Sequence, residues 1–593
     1  GARADGTWLV LRDRGEVATE LVAAIEARGG RALLVDDDIA SPEVARTLIA
    51  SAESPLRGVV HLRGLDSPEM PAGGLAELRD ATRRDCGALL HVVQALAAAE
   101  KPQPQLWLAT RGVQPAGGAA PAPLHAPLWG LGRVVALEHS ELWGGMVDLD
   151  PAGMPGEAAL LLDEILASDG EDQVAHRRGE RYAARLVPGA LDAGRGVLLR
   201  PDASYLVAGG RGALGLKLAA WMADRGARHL ILTGRGPVTR EAAAAVARLE
   251  ERGVSVDCPR ADVADPDAMA AVLDAVEPPV RGVVHAAGVF EPRRAADMSR
   301  AEFEEVAAAK IEGTWVLHEL TRATELDFFV MFSSAASVWG SALAGHYVAG
   351  NHFQDVAAHH RRGLGLPALA VNWGWWEGSD MVPEEAKAYF GALGLEVVPE
   401  DAGFDALERL LESKAVQRTI APVDWRTFKA AFSARRRRPL LDLIEVPVEP
   451  GGAASAEGLE LIRALEQAPA RRRGELIVDF LQRLVGAALG LDRPMDPQLG
   501  FFDAGMDSIT AVEVKTRIES SLGVAIPATA AFEHPNIEAL ATYLLGDVLE
   551  LAAPEPVEEK PPEANGNGHA ELDGLSEDEL LDLLENQLAG AER

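Results

Sequence analysis

Apolar and polar positions follow two different periods along residues 1–435. Short apolar runs such as "TWLVL" at 7–11 and "RALLV" at 31–35 are typical of buried strands, whereas "VATELVAAIEARGG" at 17–30 repeats its apolar residues at helical spacing. Strands that alternate with amphipathic helices predict βαβ units, in which the strands run parallel. The pattern therefore predicts an α/β fold for this part of the chain.

The same order of elements occurs twice. "GVVHLRGL" begins at Gly58 and "GVVHAAGV" begins at Gly282, and each lies among predicted strands and helices that follow one another in the same way. The second set comprises "SYLVAGG", the helical "LGLKLAAWMADRG", "HLILTG", "GVVHAAG" and "LDFFVMFSS". We therefore predict two doubly wound, Rossmann-like halves, residues 1–195 and 196–435, each built on a parallel sheet.

The two halves differ at the turn after their first strand. In the second half, "VAGGRGALG" places Gly210, Gly212 and Gly215 in G-x-G-x-x-G spacing between a strand and a helix, where the pyrophosphate of a dinucleotide can approach the helix N-terminus. In the first half, "LRDRGEVA" has no glycine triplet. We expect residues 196–435 to bind a cofactor and residues 1–195 to be structural.

The charges near the second strand of the cofactor-binding half indicate NADPH. A site for NAD usually carries an acid there to hold the ribose 2′-hydroxyl. Here Arg235 follows "LILTG", and Arg211 lies in the glycine turn, so two guanidiniums are available for a 2′-phosphate. The alternative is that both arginines are simply solvated. Asp262, at the end of a strand predicted in "CPRADVAD", is placed to meet the adenine.

Ser334 and Tyr347 follow the buried strand "FFVMFSS" and are candidates for ketone reduction, which needs a proton donor and a group that holds the carbonyl oxygen. A tyrosine of pKa near ~10 releases its proton readily only beside a cation. One turn after Tyr347 stands Asn351, but the preceding helix carries a single lysine, Lys310. Lys310 can reach the site from that neighbouring helix, and a surface lysine is the alternative.

These motifs resemble the ketoreductase domain of modular polyketide synthases, with its degenerate N-terminal structural subdomain. The likeness covers "AGGRGALG", "GVVHAAG", "AAAKIEGTW", the run from Ser334 to Asn351 and "VNWGWW". It implies that Tyr347 donates the proton, Ser334 orients the carbonyl, Lys310 lowers the tyrosine pKa and Asn351 orders the proton relay. The predicted cofactor-binding residues are Gly209, Gly210, Arg211, Gly212, Leu214, Gly215, Thr233, Arg235, Asp262, Val263, Ala286 and Gly288.

The resemblance also carries an expectation about the hand of the product. Family members that give the D-hydroxyl have Leu-Asp-Asp after the "HAAG" strand, where this chain has "VFEP" with Phe290. Those that give the L-hydroxyl have a tryptophan before the tyrosine, as Trp339 is here. The epimerising subtype has a histidine where Ala344 stands, so we predict an A-type, L-hydroxyl enzyme without epimerisation. Trp375 and Trp376 are candidates for the acyl channel, and ordinary packing is the alternative for all three tryptophans.

The remaining chain predicts a linker at 436–470, a small helical bundle at 471–547, a disordered segment at 548–572 and a helix at 573–593. "LGFFDAGMDSITAVEVKTRIE" resembles an acyl carrier protein, with Asp507 capping a helix that begins at Ser508. The resemblance implies 4′-phosphopantetheine on Ser508, and an exposed capping serine is the alternative. Acidic residues in "AVEVKTRIESS" suit basic partner domains. The last helix, with Ser576 and Glu579 spaced as a capping box, resembles a docking element, and a fortuitous helical tail is the alternative.

Bulk properties exclude several other classes. A net charge of −33 disfavours nonspecific binding to nucleic acid or to anionic membranes, and no apolar run is long enough to span a bilayer. Two cysteines predict neither a disulfide framework nor a zinc cluster, so we expect a cytoplasmic protein without a metal site. The start, "GARADGTWLV", has no initiator Met and no signal pattern, which indicates the cut edge of a longer polypeptide.

Together these features predict an NADPH-dependent reductase acting on a β-ketoacyl thioester that the fused carrier holds. Its expected partners are the other domains of a synthase module, a phosphopantetheinyl transferase and a downstream synthase subunit met by the C-terminal helix. A reductively inactive scaffold for the carrier is the alternative. A free-standing dehydrogenase of small alcohols conflicts with the carrier motif at Ser508.

Overall fold

The computed structural model describes residues 2–551 apart from 37, 53–54, 67–73, 100–102, 168, 192–193, 195, 380, 447–454 and 492. The predicted helix at 573–593 lies outside the described residues, as does the predicted disordered segment at 548–572 beyond residue 551.

Residues up to Ala183 form the first α/β half. Its elements are β1 (Thr7–Leu11), α1 (Val17–Ala27), β2 (Arg31–Val35), α2 (Pro42–Ser51), β3 (Leu56–Gly64), α3 (Gly74–Ala97), β4 (Gln105–Arg111), α4 (Ala126–Glu138), β5 (Trp143–Leu149), α5 (Glu157–Ile165), β6 (Gln173–Arg177) and β7 (Glu180–Ala183). The strand order is β2-β1-β3-β4-β5-β6-β7, and every pair is parallel except β6 with β7.

The second half begins at Ser204. Its elements are β8 (Ser204–Ala208), α6 (Ala213–Asp224), β9 (His229–Thr233), α7 (Arg240–Glu251), β10 (Ser255–Asp257), α8 (Pro266–Asp274), β11 (Val280–His285), α9 (Arg300–Thr321), β12 (Phe328–Ser334), α10 (Ala336–Trp339), α11 (Gly345–Gly363), β13 (Leu369–Trp373), α12 (Glu384–Ala392), α13 (Glu400–Glu412), β14 (Gln417–Ile420) and α14 (Trp425–Ser433). The order is β10-β9-β8-β11-β12-β13-β14, all parallel.

Both predicted doubly wound halves are therefore confirmed. Because β8, β9, β11 and β12 are buried strands with helices on both faces, they read as continuous apolar runs in the sequence. The helix that carries Lys310, α9, begins with a capping box in which Ser299 and Glu302 each satisfy the other's backbone amide. Its N-terminus is thereby fixed in front of the second sheet.

The two halves share one apolar core across α4 and α11. Buried residues of both belong to a single cluster, among them Trp129 and Leu131 on α4 and Ala349 and Phe353 on α11. The helices touch at Gly130, where a Cβ would lie 2.7 Å from the Ala349 Cα. The N-terminal half is thus packed directly against the helix that carries Tyr347.

The C-terminal bundle consists of α15 (Ala456–Gln467), α16 (Ala470–Leu489), α17 (Ser508–Leu522), α18 (Ala530–Glu533) and α19 (Ile537–Tyr543), followed by a π-helical turn (Leu544–Val548). The predicted linker at 436–470 is shorter than expected. Leu440 and Leu441 pack on the second half, and Leu465 of α15 is buried in the core of the bundle. In the part of the chain that the structure describes, no helix has the length and apolarity to cross a bilayer.

Candidate active site

One cavity of about 660 Å³ opens at the carboxyl ends of β8, β9, β11 and β12. Ligands of doubly wound sheets bind at this edge, where the strand order reverses. Of the predicted cofactor-binding residues, all except Gly210 and Arg211 line the cavity, and so do Ser334, Tyr347 and Lys310. The structure therefore places most of the predicted cofactor residues and three of the four predicted reaction residues around the same space, while Asn351 is buried behind it.

The glycine turn after β8 is too tight for side chains. Gly209 has a φ of +82°, a Cβ on Gly210 would lie 2.8 Å from the Val207 carbonyl oxygen, and a Cβ on Gly215 would lie 2.5 Å from that of Gly209. Gly212 is the N-cap of α6 and brings the helix N-terminus to the cavity. A bare backbone at a helix N-terminus fits the pyrophosphate of a dinucleotide.

The cationic groups beside this turn differ in their orientation. Arg235 lines the cavity, whereas the guanidinium of Arg211 donates a hydrogen bond to the Gly234 carbonyl and stands outside the lining. Asp262 lines the cavity and accepts a hydrogen bond of 3.0 Å from the Ala264 amide. The expectation that Asp262 ends a strand was wrong, because β10 ends at Asp257 and only an isolated bridge at Arg260 continues it.

Tyr347 lies in the first turn of α11 and is partly buried. Desolvation raises the pKa of Tyr347, and the neighbouring polar side chains of Ser334 and Asn351 oppose that rise. The ring of Phe290 meets the tyrosine ring edge-on at 5.4 Å between centroids. A partly buried phenol beside two polar side chains and an aromatic neighbour is well placed to act as a proton donor.

Asn351 connects Tyr347 to the interior of the protein. Its Nδ2 donates to the Tyr347 carbonyl oxygen at 2.7 Å, as expected one turn along a helix. Its Oδ1 is buried and has no hydrogen-bond partner among the described residues. Because buried acceptors are usually satisfied, this oxygen is a candidate partner for an ordered water.

Lys310 reaches the cavity from α9, but its ammonium does not bond the tyrosine. Its Nζ donates to the Phe332 carbonyl oxygen at 2.5 Å and to the Gln354 Oε1 at 3.1 Å. Burial lowers the pKa of Lys310 to about 7, and the charge of Asp355 opposes this. The side chain crosses beneath Gly288, where a Cβ would lie 2.8 Å from the Lys310 Cε. Lys310 is therefore a buried residue rather than a surface lysine.

Sequence reasoning missed the polar network below the reaction residues. Asp355 accepts hydrogen bonds from the Asn372 Nδ2 at 2.7 Å and from the Ser337 Oγ at 2.5 Å, and Asn372 also donates to the Ser333 Oγ at 3.0 Å. Asn372 was the available signal, because it is the only polar residue in the apolar strand "LAVNW". This network fixes the end of β12 relative to α10 and α11.

The N-terminal half also contributes to the site, through the end of α4. The Glu138 carboxylate accepts hydrogen bonds from the Ala295 amide at 2.8 Å and from the Leu343 amide at 2.6 Å. Leu343 has a φ of +65°, which is strained for a residue other than glycine. Glu138 thereby holds the strained segment immediately before Tyr347, and nothing local in the sequence indicates this contact.

The far side of the cavity is aromatic. Trp339 lies 6.2 Å from Trp425 and 5.1 Å from Phe428 between ring centroids, while Trp375 and Trp376 line the same space. Trp376 also packs in the core beside Trp373, so this side chain both belongs to the core and lines the cavity. Lining residues that the sequence did not single out include Tyr389, Phe390, Ala431 and Phe432.

In the bundle, Asp507 caps α17 as predicted, because its Oδ1 accepts a hydrogen bond from the Thr510 amide at 2.8 Å. Ser508 is the first residue of that helix. A phosphate ester at this position would face the positive end of the helix dipole. Over the described residues, no group of three or more His, Cys, Asp or Glu side chains is arranged to hold a metal ion.

Three family models match the chain. Residues 20–186 match the Rossmann-fold domain of the polyketide synthase extender module SpnB, residues 203–378 match the KR domain, and residues 479–544 match the phosphopantetheine attachment site. The three matches follow the order of the two α/β halves and the helical bundle.

Curated relatives and solved structures agree with these matches. The chain is 35% identical over 576 residues to "Polyketide synthase GfsA" of Streptomyces halstedii, which covers 92% of this chain and 8% of that protein. It is 34% identical to "Pikromycin polyketide synthase component PikAIII" of Streptomyces venezuelae, covering 98% of this chain and 37% of the relative. The chain thus spans well under half of these relatives.

Solved ketoreductase structures cover the two α/β halves. The structure titled "Structure of A1-type ketoreductase" is 32% identical with a TM-score of 0.65, over 75% of this chain and 94% of that one. "The first ketoreductase of the tylosin PKS" is 33% identical with a TM-score of 0.66, over 74% of this chain and 96% of that one.

Proposed function

The chain belongs to the ketoreductases of modular polyketide synthases, joined to a phosphopantetheine carrier, and we propose that it reduces the β-keto group of an acyl thioester held on that carrier. NADPH is the reductant and 4′-phosphopantetheine the carrier arm, as the ketoreductase and attachment-site matches indicate. The observation that best supports the proposal is the single cavity shared by the glycine turn, Tyr347, Ser334 and Lys310.

When bound, NADPH supplies the hydride to the β-carbon. The bare backbone at Gly209, Gly212 and Gly215 would hold its pyrophosphate, and Arg235 its 2′-phosphate. Arg211 can join only by releasing the Gly234 carbonyl. Asp262 and Val263 would border the adenine.

The side chains of the reacting centre handle the carbonyl oxygen and its proton. Ser334 and the Tyr347 hydroxyl would both hydrogen-bond the ketone oxygen, and Tyr347 would donate its proton as negative charge develops there. Lys310 would supply positive charge within the cavity, favouring the tyrosinate that remains. Asn351, with its unpartnered Oδ1, would guide water that reprotonates the tyrosine.

The proposed product is the L-hydroxyl without epimerisation. Trp339 and Phe290 line the same cavity as Tyr347, and Trp375 and Trp376 would border the acyl chain. The similarity to a structure described as an A1-type ketoreductase supports this hand. Chiral analysis of the alcohol formed from a β-ketoacyl thioester tests it, and a D-hydroxyl product would contradict the role given to Trp339.

The carrier proposal centres on Ser508 as the attachment residue. A phosphopantetheinyl transferase would load it, other domains of the module would act on the same acyl chain, and the predicted helix at 573–593 would meet a downstream subunit in the cytoplasm. Intact-mass measurement after incubation with a transferase and coenzyme A tests the attachment. An adduct that persists in Ser508→Ala would contradict it.

Reduction itself is tested with the purified chain, NADPH and a diffusible β-ketoacyl thioester. We expect NADPH-dependent reduction in the parent and a loss of at least about 10²-fold in Tyr347→Phe, which removes only the acidic hydroxyl. NADPH titration of the same variant, followed by cofactor fluorescence, should remain parental. A parent that binds NADPH without reducing the thioester would support the alternative, an inactive scaffold for the carrier.

A further inference from the structure

The carrier bundle packs on the ketoreductase through the end of α14. Ala434, which follows that helix, is completely buried in the apolar cluster of the bundle, together with Val514 and Ile518 of α17. The contact between α14 and α17 is therefore part of the carrier core rather than a solvated edge. An apolar residue contributed by one domain to the core of another marks a specific interface.

A cation–π contact lies next to this apolar one. The guanidinium of Arg435 stands over the ring of Phe502, with its central carbon 5.1 Å from the ring centroid. The Arg435 Nε is buried and has no hydrogen-bond partner among the described residues. The half-buried guanidinium thus faces the aromatic ring of the carrier, and its charge also acts on Glu141.

The same helix borders the substrate end of the active-site cavity. Phe428, Ala431 and Phe432 of α14 line that cavity, as do Tyr389 and Phe390 of α12. Partial burial raises the pKa of Tyr389, the negative charge of Asp507 raises it further, and the positive charge of Arg435 lowers it. Asp507 immediately precedes Ser508, so the start of α17 lies close to the aromatic end of the cavity.

Charge pairing contributes little to this contact. Along α17, Lys515 pairs with Glu519 at 2.6 Å and Arg517 with Glu513 at 2.5 Å, so these four charges are satisfied within the helix. The expectation that acidic residues of this helix suit a basic partner does not describe the contact with α14. The contact between the carrier and α14 is made by apolar and cation–π interactions instead, and such interactions depend weakly on salt.

We propose that the carrier docks on its own ketoreductase through this surface, with Ala434 and Arg435 facing Phe502 and α17, and that the docked pose delivers the acyl chain between α12 and α14. This inference rests on the proposed function. The docking surface is small, but the covalent linker raises the local carrier concentration to about the millimolar range, so a weak and specific contact is sufficient.

The test compares one acyl group in two forms. The intact chain is loaded at Ser508 with a β-ketoacyl-pantetheine for single-turnover reduction, and the unloaded chain reduces the same acyl group as a diffusible thioester. The variants are Arg435→Ala, which removes the guanidinium, and Phe502→Leu, which keeps an apolar side chain but removes the aromatic ring. The control is Arg437→Ala, a neighbouring arginine that pairs with Asp442 at 2.6 Å instead of contacting the carrier.

We expect Arg435→Ala and Phe502→Leu each to slow tethered turnover about 3- to 30-fold, the range for a partly desolvated cation–π contact. The double variant should be no slower than the slower single variant, because both changes remove one contact. Diffusible turnover should stay within about twofold of the parent, and Arg437→Ala should match the parent in both assays.

Two outcomes would overturn the docking proposal. One is parental tethered turnover in both variants, and the other is an equal loss for tethered and diffusible substrates, which would indicate damage to the cavity. A parent that fails to reduce the diffusible thioester would instead refute the proposed function. Tethered turnover that falls more than about tenfold between about 50 and 500 mM salt, as expected when about one or more phosphate-like charge contacts are screened, would favour a charge-based surface instead.

Discussion

Gly130 provides the sharpest test of what the N-terminal half does for the active site. It lies within α4, and a Cβ added there would stand 2.7 Å from the Ala349 Cα and 2.8 Å from the Val348 carbonyl oxygen. Both neighbours are backbone atoms of α11, the helix that begins just before Tyr347. Neither can turn away as a flexible side chain would, so Gly130→Ala must push the two helices apart.

The magnitude follows from two opposing effects. Replacing a glycine in a helix interior by alanine ordinarily stabilises a protein by about 0.5–1 kcal/mol. Overpacking of a close-packed interface costs about 1–3 kcal/mol. The clash therefore outweighs the helix propensity, and the free energy of unfolding should fall. Because a displacement of about 1 Å at a catalytic group can cost about 10²-fold in rate, kcat should fall more than stability alone explains.

The assay has two parts. Urea unfolding gives the free energy of unfolding, and steady-state reduction of a diffusible thioester is measured without urea at a temperature at which the variant is folded. We expect kcat to fall at least about tenfold, while the KM for NADPH changes little because the glycine turn lies on β8 and α6. Gly486→Ala is the control, since that glycine lies inside α16 with no atom within 4 Å of an added Cβ. It should gain stability and keep its activity. A Gly130→Ala variant as stable and active as the parent would refute the reasoning.

Three further predictions concern charges. The pKa of Lys310 is about 7 in the folded protein and ~10.4 in the unfolded chain, so between these values the unfolded state binds more protons. The parent should therefore gain stability relative to Lys310→Met as the pH rises from about 7 to 10. A stability difference between the two proteins that stays constant with pH in urea unfolding would contradict this. Arg235→Ala should weaken NADPH binding about 10- to 100-fold by fluorescence titration and leave NADH binding unchanged, whereas an equal loss for both would exclude contact with the 2′-phosphate. Asp507→Ala should lower the carrier's free energy of unfolding by about 1 kcal/mol in a thermal melt, and Asp507→Asn, which keeps the acceptor, should not; equal melts for the two variants would argue against the cap.

The parts of the site that the sequence predicted are those encoded locally. The glycine turn and the Ser334–Tyr347 pair each follow a strand and lead into a helix, and the cap at Asp507 immediately precedes its helix, so spacing along the chain brings their groups together. Lys310 needed one further step, the placement of a helix beside a strand, and the resemblance to a family supplied it. The fold of both halves followed from periodicity, because buried parallel strands alternate with amphipathic helices.

The parts that could not be predicted depend on long-range packing. Glu138 meets Leu343 across the boundary between the halves, and Gln354 is the unexpected partner of Lys310. Neither contact has a spacing rule, since each depends on how separate elements pack. The linker was misjudged for a similar reason: α15 is amphipathic, but whether it packs on the carrier is decided by surfaces elsewhere in the chain.

The two seven-stranded sheets differ at their edges, because β10 has no counterpart in the first sheet and the antiparallel β7 has none in the second. Between β9 and β11 the second half inserts α7, β10 and α8, whereas between β2 and β3 the described part of the first half has only α2. Asp262 and Val263 follow that extra strand and border the cavity. If the halves descend from one duplicated ancestor, glycines returned to "LRDRGEVA" would rebuild the turn for a pyrophosphate. The strand–helix unit that precedes the adenine-binding residues would still be absent from the described part of the first half. Point substitutions alone would therefore not restore a cofactor site to the first half, which affects the reaction through its contacts with α11 and with the Ala295 and Leu343 amides.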